Sequence, residues 1–145
     1  MKITIQETGS VQETEILIIC PKLTPELDEI ISNIALSDHT FAGKNEGEIH
    51  FIPMKEIYYF ETIESKTFFY TKDRVFETNI RLYQLEEKLL NTTFARVSKS
   101  SIVNLKKIRK IRPDENSRLV ATLLSGEKIM VSRNYVPEIK KKLGV

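Results

Sequence analysis

Several residue types on which catalytic, metal and disulfide sites depend are scarce in this sequence. Its 145 residues include no tryptophan, one cysteine (Cys20) and two histidines, His39 and His50. A single cysteine excludes a disulfide framework and is typical of a reducing compartment, so we expect a cytoplasmic protein. The histidines stand in dissimilar contexts and have no cysteine at metal-ligand spacing, which predicts that the chain holds no metal.

Motifs for catalysis and nucleotide binding are also missing. The sequence has no GxGxxG and no GxSxG, and Gly43-Lys44 lacks both the upstream glycine and the following hydroxyl of a phosphate loop. The serines around Lys99 place hydroxyls beside an amine. However, neighbouring residues on an extended strand point to opposite faces, so Lys99 is poorly placed as a base. We therefore predict no enzyme, no cofactor and no small-molecule substrate.

Long apolar runs are absent as well. The longest aliphatic run, Ile16 to Cys20, is too short to cross a bilayer, and the polar, acidic N-terminus does not have the pattern of a signal peptide. Hydrophobic residues make up 41% of the chain and charged residues 29%, which is typical of a globular protein. The length predicts one domain, alone or with a small annex.

The small net charge of +2 conceals an uneven distribution of charge. Residues 1–48 carry three basic and nine acidic residues, so residues 49–145 carry the other 19 of 22 basic and 11 of 20 acidic residues. The two parts thus have net charges of −6 and +8. Eight basic residues and no acidic residue lie between Lys88 and Arg112. Such a concentration attracts polyanions.

The first 48 residues predict a β-β-α extension. Alternating and continuous apolar residues predict strands at Lys2–Glu7 and Glu15–Cys20, separated by a turn. Thr24-Pro25-Glu26 has the pattern of a helix start, and the helix face that follows consists of Leu27, Ile30, Ile31 and Ile34. Residues 37–48 are predicted to form a loop or weak hairpin, and to mark the boundary with a main domain at 49–145.

The main domain is predicted to be mostly β with flanking helices, an α+β fold. A leucine-spaced helix is expected from Leu82 to Leu90, and a last helix is expected to begin near Ser132. Short runs rich in β-branched and aromatic residues predict strands at Glu48–Ile52, Ile57–Glu61, Thr67–Thr71, Val75–Thr78, Phe94–Val97, Ile108–Ile111, Arg118–Leu124 and Lys128–Val131.

The segment Ala95–Arg112 combines long cations with short polar donors between apolar anchors. Contacts with a nucleic-acid backbone require such a mixture. The segment has few aromatic residues, which disfavours stacking on single strands and favours duplex DNA. The predicted backbone-contact residues are Arg96, Ser98, Ser100, Ser101, Asn104, Lys106, Lys107 and Arg109, with Lys66 from an earlier segment. For Asn104, a structural bond to the backbone is the favoured alternative.

From about Ile49 to Leu143 the sequence resembles the LytTR DNA-binding domain of bacterial transcription regulators. The matching motifs include IYYFE (Ile57–Glu61), the helix LYQLEEKLL (Leu82–Leu90), FARVSKSSIVNL (Phe94–Leu105) and VSRNYV (Val131–Val136). The resemblance implies a stack of small antiparallel sheets that reads DNA through loops. It also implies that base-contacting loop positions fall at Thr67, Lys99 and Arg133. Many members of the family have a histidine or arginine near Ser98 and Lys99 and a histidine near Thr67, and this chain has smaller residues there.

The resemblance further implies a stand-alone regulator, because residues 1–48 are too short for a phosphorylated receiver domain. By family analogy, the N-terminal extension builds a contact in a homodimer on DNA or docks a small membrane-bound inhibitor. The leading prediction is a sequence-specific regulator of promoter DNA. The alternative is a non-enzymatic protein-interaction module, such as an anti-regulator, whose basic face binds an acidic partner. An RNA-binding domain is disfavoured because no strand carries an aromatic pair of the RNP type.

Overall fold

Three α-helices and ten β-strands form the protein, and a computed structural model describes all 145 residues. The helices are α1 (Pro25–Ser37), α2 (Leu82–Lys88) and α3 (Val136–Leu143). The strands are β1 (Thr40–Asn45), β2 (Glu48–Pro53), β3 (Tyr59–Ile63), β4 (Lys66–Tyr70), β5 (Val75–Thr78), β6 (Phe94–Arg96), β7 (Ser101–Asn104), β8 (Ile108–Pro113), β9 (Leu119–Leu123) and β10 (Lys128–Val131).

The strands form two antiparallel sheets. The larger sheet has seven strands in the order β2-β1-β5-β4-β3-β7-β6, and the smaller has three in the order β10-β9-β8. The family fold expected from the sequence, mostly β with flanking helices, is therefore confirmed. No helix combines the length and the apolar composition needed to span a membrane.

Two hydrophobic cores lie on opposite faces of the seven-stranded sheet. On one face Phe60 and Phe69 pack with Leu85 of α2. The adjacent residue Tyr59 packs on the other face with residues of the three-stranded sheet and with Ile139 of α3. Because successive side chains of a strand point to opposite faces, two adjacent aromatic residues in one strand serve two different cores. The central strands are thus covered on both sides.

The predicted helix start is confirmed, whereas the two predicted N-terminal strands are wrong. Pro25 begins α1, and the Thr24 hydroxyl accepts a hydrogen bond of 3.3 Å from the Leu27 N–H. Residues 2–7 and 15–20 have no regular secondary structure, and no backbone–backbone hydrogen bond involves any residue before Thr24. Alternation of apolar residues favours a strand only where a second strand supplies the hydrogen-bond partners, and none adjoins these segments.

The predicted loop or weak hairpin at residues 37–48 is a regular hairpin. Strand β1 pairs with β2 on one side and with β5 on the other, so it lies inside the large sheet. A side chain at Gly43 would place its Cβ 2.5 Å from the ring of Phe69, which explains a glycine in the middle of this strand. The division of the chain at residue 48 stays a prediction, and β1 lies on the N-terminal side of it.

The strands predicted after residue 48 are present with ends shifted by no more than about two residues, but strand β7 was missed. Residues Ser101–Asn104 form β7 between β3 and β6, where the sequence indicated only apolar anchors. Val97–Ser101 reverses the chain between β6 and β7, and the reversal determines where the basic residues on either side lie.

Candidate nucleic-acid interface

Three loops meet at one end of the two sheets. The N–H of Thr62, next to the β3–β4 turn, donates a 2.9 Å hydrogen bond to the Ser100 carbonyl in the β6–β7 turn. The N–H of Ser132, after β10, donates a 2.8 Å hydrogen bond to the Val97 carbonyl of the same turn. We name the residues of these loops, 63–66, 97–101 and 132–134, the loop end.

The β6–β7 turn is organised by its own serines. The Ser98 hydroxyl accepts a 3.2 Å hydrogen bond from the Ser100 N–H and lies 3.4 Å from the Ser100 hydroxyl. The N–H of Val97 donates to the Ser101 carbonyl at 3.1 Å and closes the turn. Lys99 therefore projects from the tip of a short, internally bonded turn, where its side chain is exposed.

Arg96 braces this turn from inside the protein. Its Nε donates a 2.7 Å hydrogen bond to the Ser98 carbonyl, and a terminal guanidinium nitrogen donates to the Lys99 carbonyl. Its other terminal nitrogen lies 3.6 Å from the Glu86 carboxylate of α2, and the side chain is 17% exposed. A phosphate contact of Arg96, which the sequence predicted, would compete with these bonds. Its evident role is to hold the backbone on which Lys99 stands.

Arg133 is exposed at the third loop. It is the first residue of a short 3-10 turn that leads from Ser132 into α3, and its guanidinium makes no ion pair within 4.0 Å. Because the Ser132 backbone is hydrogen-bonded to Val97, the next residue, Arg133, lies beside the turn that carries Lys99. The loop end thus presents two uncompensated cations on adjoining loops.

Thr67 does not lie in the first loop, where the sequence placed it. It is the second residue of β4, its side chain is 4% exposed, and its hydroxyl lies 3.4 Å from that of Thr62. The loop itself consists of Glu64 and Ser65, whose φ values of 50° and 67° are typical of a tight two-residue hairpin turn. Lys66 is exposed next to this turn, with its Nζ 4.0 Å from Glu77.

Asn104 is a structural residue, as the alternative interpretation of the sequence held. It is 2% exposed, and its amide nitrogen donates a 2.9 Å hydrogen bond to the Ile57 carbonyl. Its amide oxygen accepts hydrogen bonds from the Thr93 hydroxyl and the Lys106 N–H. Because the side chain is buried and its amide is bonded inside the protein, Asn104 is not placed to contact a phosphate, contrary to the predicted backbone contact.

Three of the predicted phosphate contacts lie away from the loop end. Phe94 pairs with Asn104, so the start of β6 and the end of β7 lie opposite the Val97–Ser101 turn. Lys106 and Lys107 follow β7 there, about 10 Å or more from the turn along a strand of four residues. The Lys107 Nζ lies 5.0 Å from the centre of the Tyr58 ring, a cation–π arrangement. Arg109 is exposed at the beginning of β8, near the same end.

Arg81, which lies beside the loop end, is a basic residue that was not predicted as a contact from the sequence. Thr78 pairs with Thr67, so the residues that follow β5 lie beside the β3–β4 turn. The Arg81 guanidinium reaches the Ser65 carbonyl at 3.5 Å and is otherwise exposed. The only signal for this position is the hairpin pairing of β4 and β5, which brings the two segments together.

Away from the loop end, a pair of tyrosines joins the two sheets. The rings of Tyr59 and Tyr70 stack with centres 4.3 Å apart. The Tyr59 hydroxyl donates to Glu127, in the turn before β10, and the Tyr70 hydroxyl donates to Glu61. Burial and the nearby Glu61 carboxylate raise the pKa of Tyr70 to about 12, and burial with the Glu127 hydrogen bond raises the pKa of Tyr59 further. Both hydroxyls are therefore neutral donors at physiological pH.

Comparison with known proteins identifies similar chains. Residues 47–144 match the family model of the LytTr DNA-binding domain. A chain of Bacillus cereus described as the LytTr DNA-binding domain of a putative methyl-accepting/DNA response regulator superimposes with a TM-score of 0.70, at 26% identity over 74% of this chain and 98% of that one. Uncharacterized HTH-type transcriptional regulators of Staphylococcus aureus strains bovine RF122 / ET3-1 and NCTC 8325 / PS 47 are 31% identical over 147 residues, covering 100% of this chain and 99% of theirs.

Proposed function

This chain belongs to the LytTR family of DNA-binding domains and is a DNA-binding transcription regulator, and from that premise we propose that it reads promoter DNA through the loop end. The proposal specifies double-stranded DNA, recognised in a sequence-specific manner. The observation that supports it most is the hydrogen bond from Ser132 to Val97, because it holds two loops side by side. These loops carry Arg133 and Lys99, two exposed cations that form no ion pair.

Loops are better placed than helices to read bases here. The three α-helices are never consecutive along the chain, so no two of them form a helix-turn-helix unit. In our proposal Arg133 contacts a guanine, because a guanidinium can donate to its O6 and N7 together. Lys99 provides a second base or phosphate contact from the tip of its turn. Thr67 has no base-reading role, because its side chain is buried.

Phosphate contacts in this proposal come from side chains around the same loops. The hydroxyls of Ser98, Ser100 and Ser101 are short donors that can approach a phosphate closely. Lys66 and Arg81 flank the β3–β4 turn and extend the basic surface. Lys106, Lys107 and Arg109 lie toward the other end of the sheets. We assign them only a long-range electrostatic contribution, which salt screens over about 10 Å.

The protein acts without catalysis, in the bacterial cytoplasm where its DNA lies. It binds as a homodimer on a repeated site, as oligomeric regulators with two-fold symmetry bind repeated half-sites. Docking of a small membrane-bound inhibitor on residues 1–48 rests on family analogy alone.

The experiment is fluorescence anisotropy of the full chain on its own upstream promoter fragment and on a scrambled fragment, at two salt concentrations. We expect a preference for the promoter that persists at the higher salt, since non-specific attraction is lost there first. Equal, salt-sensitive binding to both fragments would contradict the proposal. It would favour the alternative of an acidic protein partner for the basic surface.

A further inference from the structure

The backbone of the first 23 residues takes part in no helix or strand. No backbone–backbone hydrogen bond in the protein involves any of them. Large apolar side chains are nevertheless concentrated there, and several are almost fully exposed: Ile3 81%, Ile5 86%, Leu17 82% and Ile19 86%. Clusters of exposed apolar residues on this scale are rare in monomers and mark interaction surfaces.

Residues 16–20 are all apolar, and four of them, Ile16 to Ile19, stay exposed. Ile16 and Ile18 line an apolar cavity together with Ile31 and Ile34 of α1. Leu17 and Ile19, which alternate with them, are 82% and 86% exposed and border a larger cavity with residues 1–6 and with Leu27 and Ile30 of α1. A run that is apolar at every position, as residues 16–20 are, is typical of a strand that is paired at its edges and covered on both faces. In the single chain, residues 16–20 have neither a hydrogen-bonded neighbouring strand nor full cover.

We propose that residues 15–20 pair with the same residues of a second copy of this chain, as antiparallel strands about a two-fold axis through Ile18. This contact is independent of the loop end and does not require DNA. It supplies a physical link between the two copies that the proposed function places on a repeated site.

Charge determines the direction of the pairing. Glu13 and Glu15 precede the apolar run, and Lys22 follows it. Antiparallel strands place the acidic end of one copy beside the basic end of the other, whereas parallel strands would place like charges together. The same acidic residues disfavour insertion of this segment into an anionic lipid surface.

The two-fold axis determines the register. When two identical antiparallel strands are related by a two-fold axis perpendicular to their sheet, one residue must lie directly opposite the same residue of the other copy. With Ile18 opposite its copy, Leu17 faces Ile19 of the other copy, and Ile16 faces Cys20. Centring the pair on Leu17 would instead place Glu15 opposite Ile19. Only the register at Ile18 sets each residue of 16–20 against an apolar one, and it covers the two most exposed side chains of the run with each other.

Sedimentation equilibrium of the full chain without DNA tests the inference. We expect the wild type to be a dimer at micromolar concentration. The double substitution Leu17→Glu, Ile19→Glu should halve the mass, because it places charges in the paired face. Both side chains are exposed in the single chain, so the variant should keep its fold, which circular dichroism checks. The matched control is Leu90→Glu, another exposed leucine far along the chain, which should remain dimeric.

Disulfide trapping tests the register. In a Cys20→Ser background, Ile18→Cys should form a cross-linked dimer on mild oxidation, whereas Lys22→Cys, whose copies would lie about 26 Å apart, should not. A monomeric wild type, a dimeric double-glutamate variant or equal cross-linking of the two cysteine variants would overturn the inference. None of these results bears on promoter binding by the loop end, which is measured separately.

Discussion

The N–H of Ser132 donates a 2.8 Å hydrogen bond to the carbonyl of Val97 and thereby joins the start of the last helix to the turn that carries Lys99. These residues are 35 positions apart in the sequence and directly follow β6 and β10, which belong to two different sheets. The bond places Arg133 and Lys99 on adjoining loops. The proposed DNA-reading surface therefore depends on how the two sheets pack.

Replacing Arg133 by alanine should remove sequence preference. A bidentate contact with guanine is worth about 1–3 kcal/mol of discrimination, so binding to the promoter should weaken by that amount while binding to scrambled DNA changes little. Competition anisotropy measures both. Lys141→Ala, which removes an exposed charge of the same sign from α3, serves as the control and should keep the preference. Retention of full preference by Arg133→Ala would place that residue outside the base contacts.

Replacing Arg96 by lysine should impair DNA binding although the charge is kept. A lysine has one ammonium nitrogen where the guanidinium uses three separate nitrogens for the Ser98 carbonyl, the Lys99 carbonyl and Glu86, so the turn should lose its fixed shape. We expect weaker promoter binding and faster amide exchange in residues 97–101. If the lysine variant bound normally with unchanged exchange, Arg96 would act through its charge alone.

Lys99 and Lys107 should differ in their effect on the salt dependence of binding. If Lys99 touches DNA, Lys99→Ala should lower the slope of log affinity against log salt by about one unit. Lys107→Ala should change the slope by less, because its ammonium lies over the Tyr58 ring at the other end of β7. A larger change for Lys107 than for Lys99 would move the interface to that end.

Replacing Asn104 by alanine should destabilise the fold rather than act on DNA directly. The Ile57 carbonyl and the Lys106 N–H would each lose a partner, and an unsatisfied buried group costs about 1–3 kcal/mol. Urea denaturation measures the loss of free energy of unfolding. At temperatures where the variant remains folded, its promoter affinity should match the wild type. If the variant lost promoter affinity while its free energy of unfolding stayed normal, Asn104 would be a DNA contact after all.

The sequence predicted structure correctly where a local pattern determines it. It failed where the structure depends on which strands pair with each other. Thr24-Pro25 predicted the start of α1 correctly, because a cap and a first-turn proline act within a few residues. The alternation at residues 2–7 predicted a strand that the single chain does not form, because alternation states which way side chains point and not which strand lies alongside. Burial of Thr67 likewise follows from its pairing with Thr62 and Thr78.

The basic segment illustrates the same limit. Arg96, Lys99, Lys106 and Lys107 are close in sequence, and the sequence pattern alone predicts one shared basic surface. The turn at Val97–Ser101 reverses the chain, so β7 carries Lys106 and Lys107 away from Lys99. Arg96 is directed inward by its hydrogen bonds to the turn. The density of positive charge along the chain indicated the correct class of ligand. Which of these basic residues lie on one surface follows only from the order and pairing of the strands.

Hydrogen–deuterium exchange of the full chain, with and without a promoter duplex, tests the central claim most directly. We predict protection of amides in residues 63–66, 97–101 and 132–134 on the promoter, with a weaker effect from scrambled DNA. Residues 105–109 should exchange at the same rate in both states. Protection confined to residues 105–109, with the three loops unchanged, would contradict the claim that the loop end reads DNA.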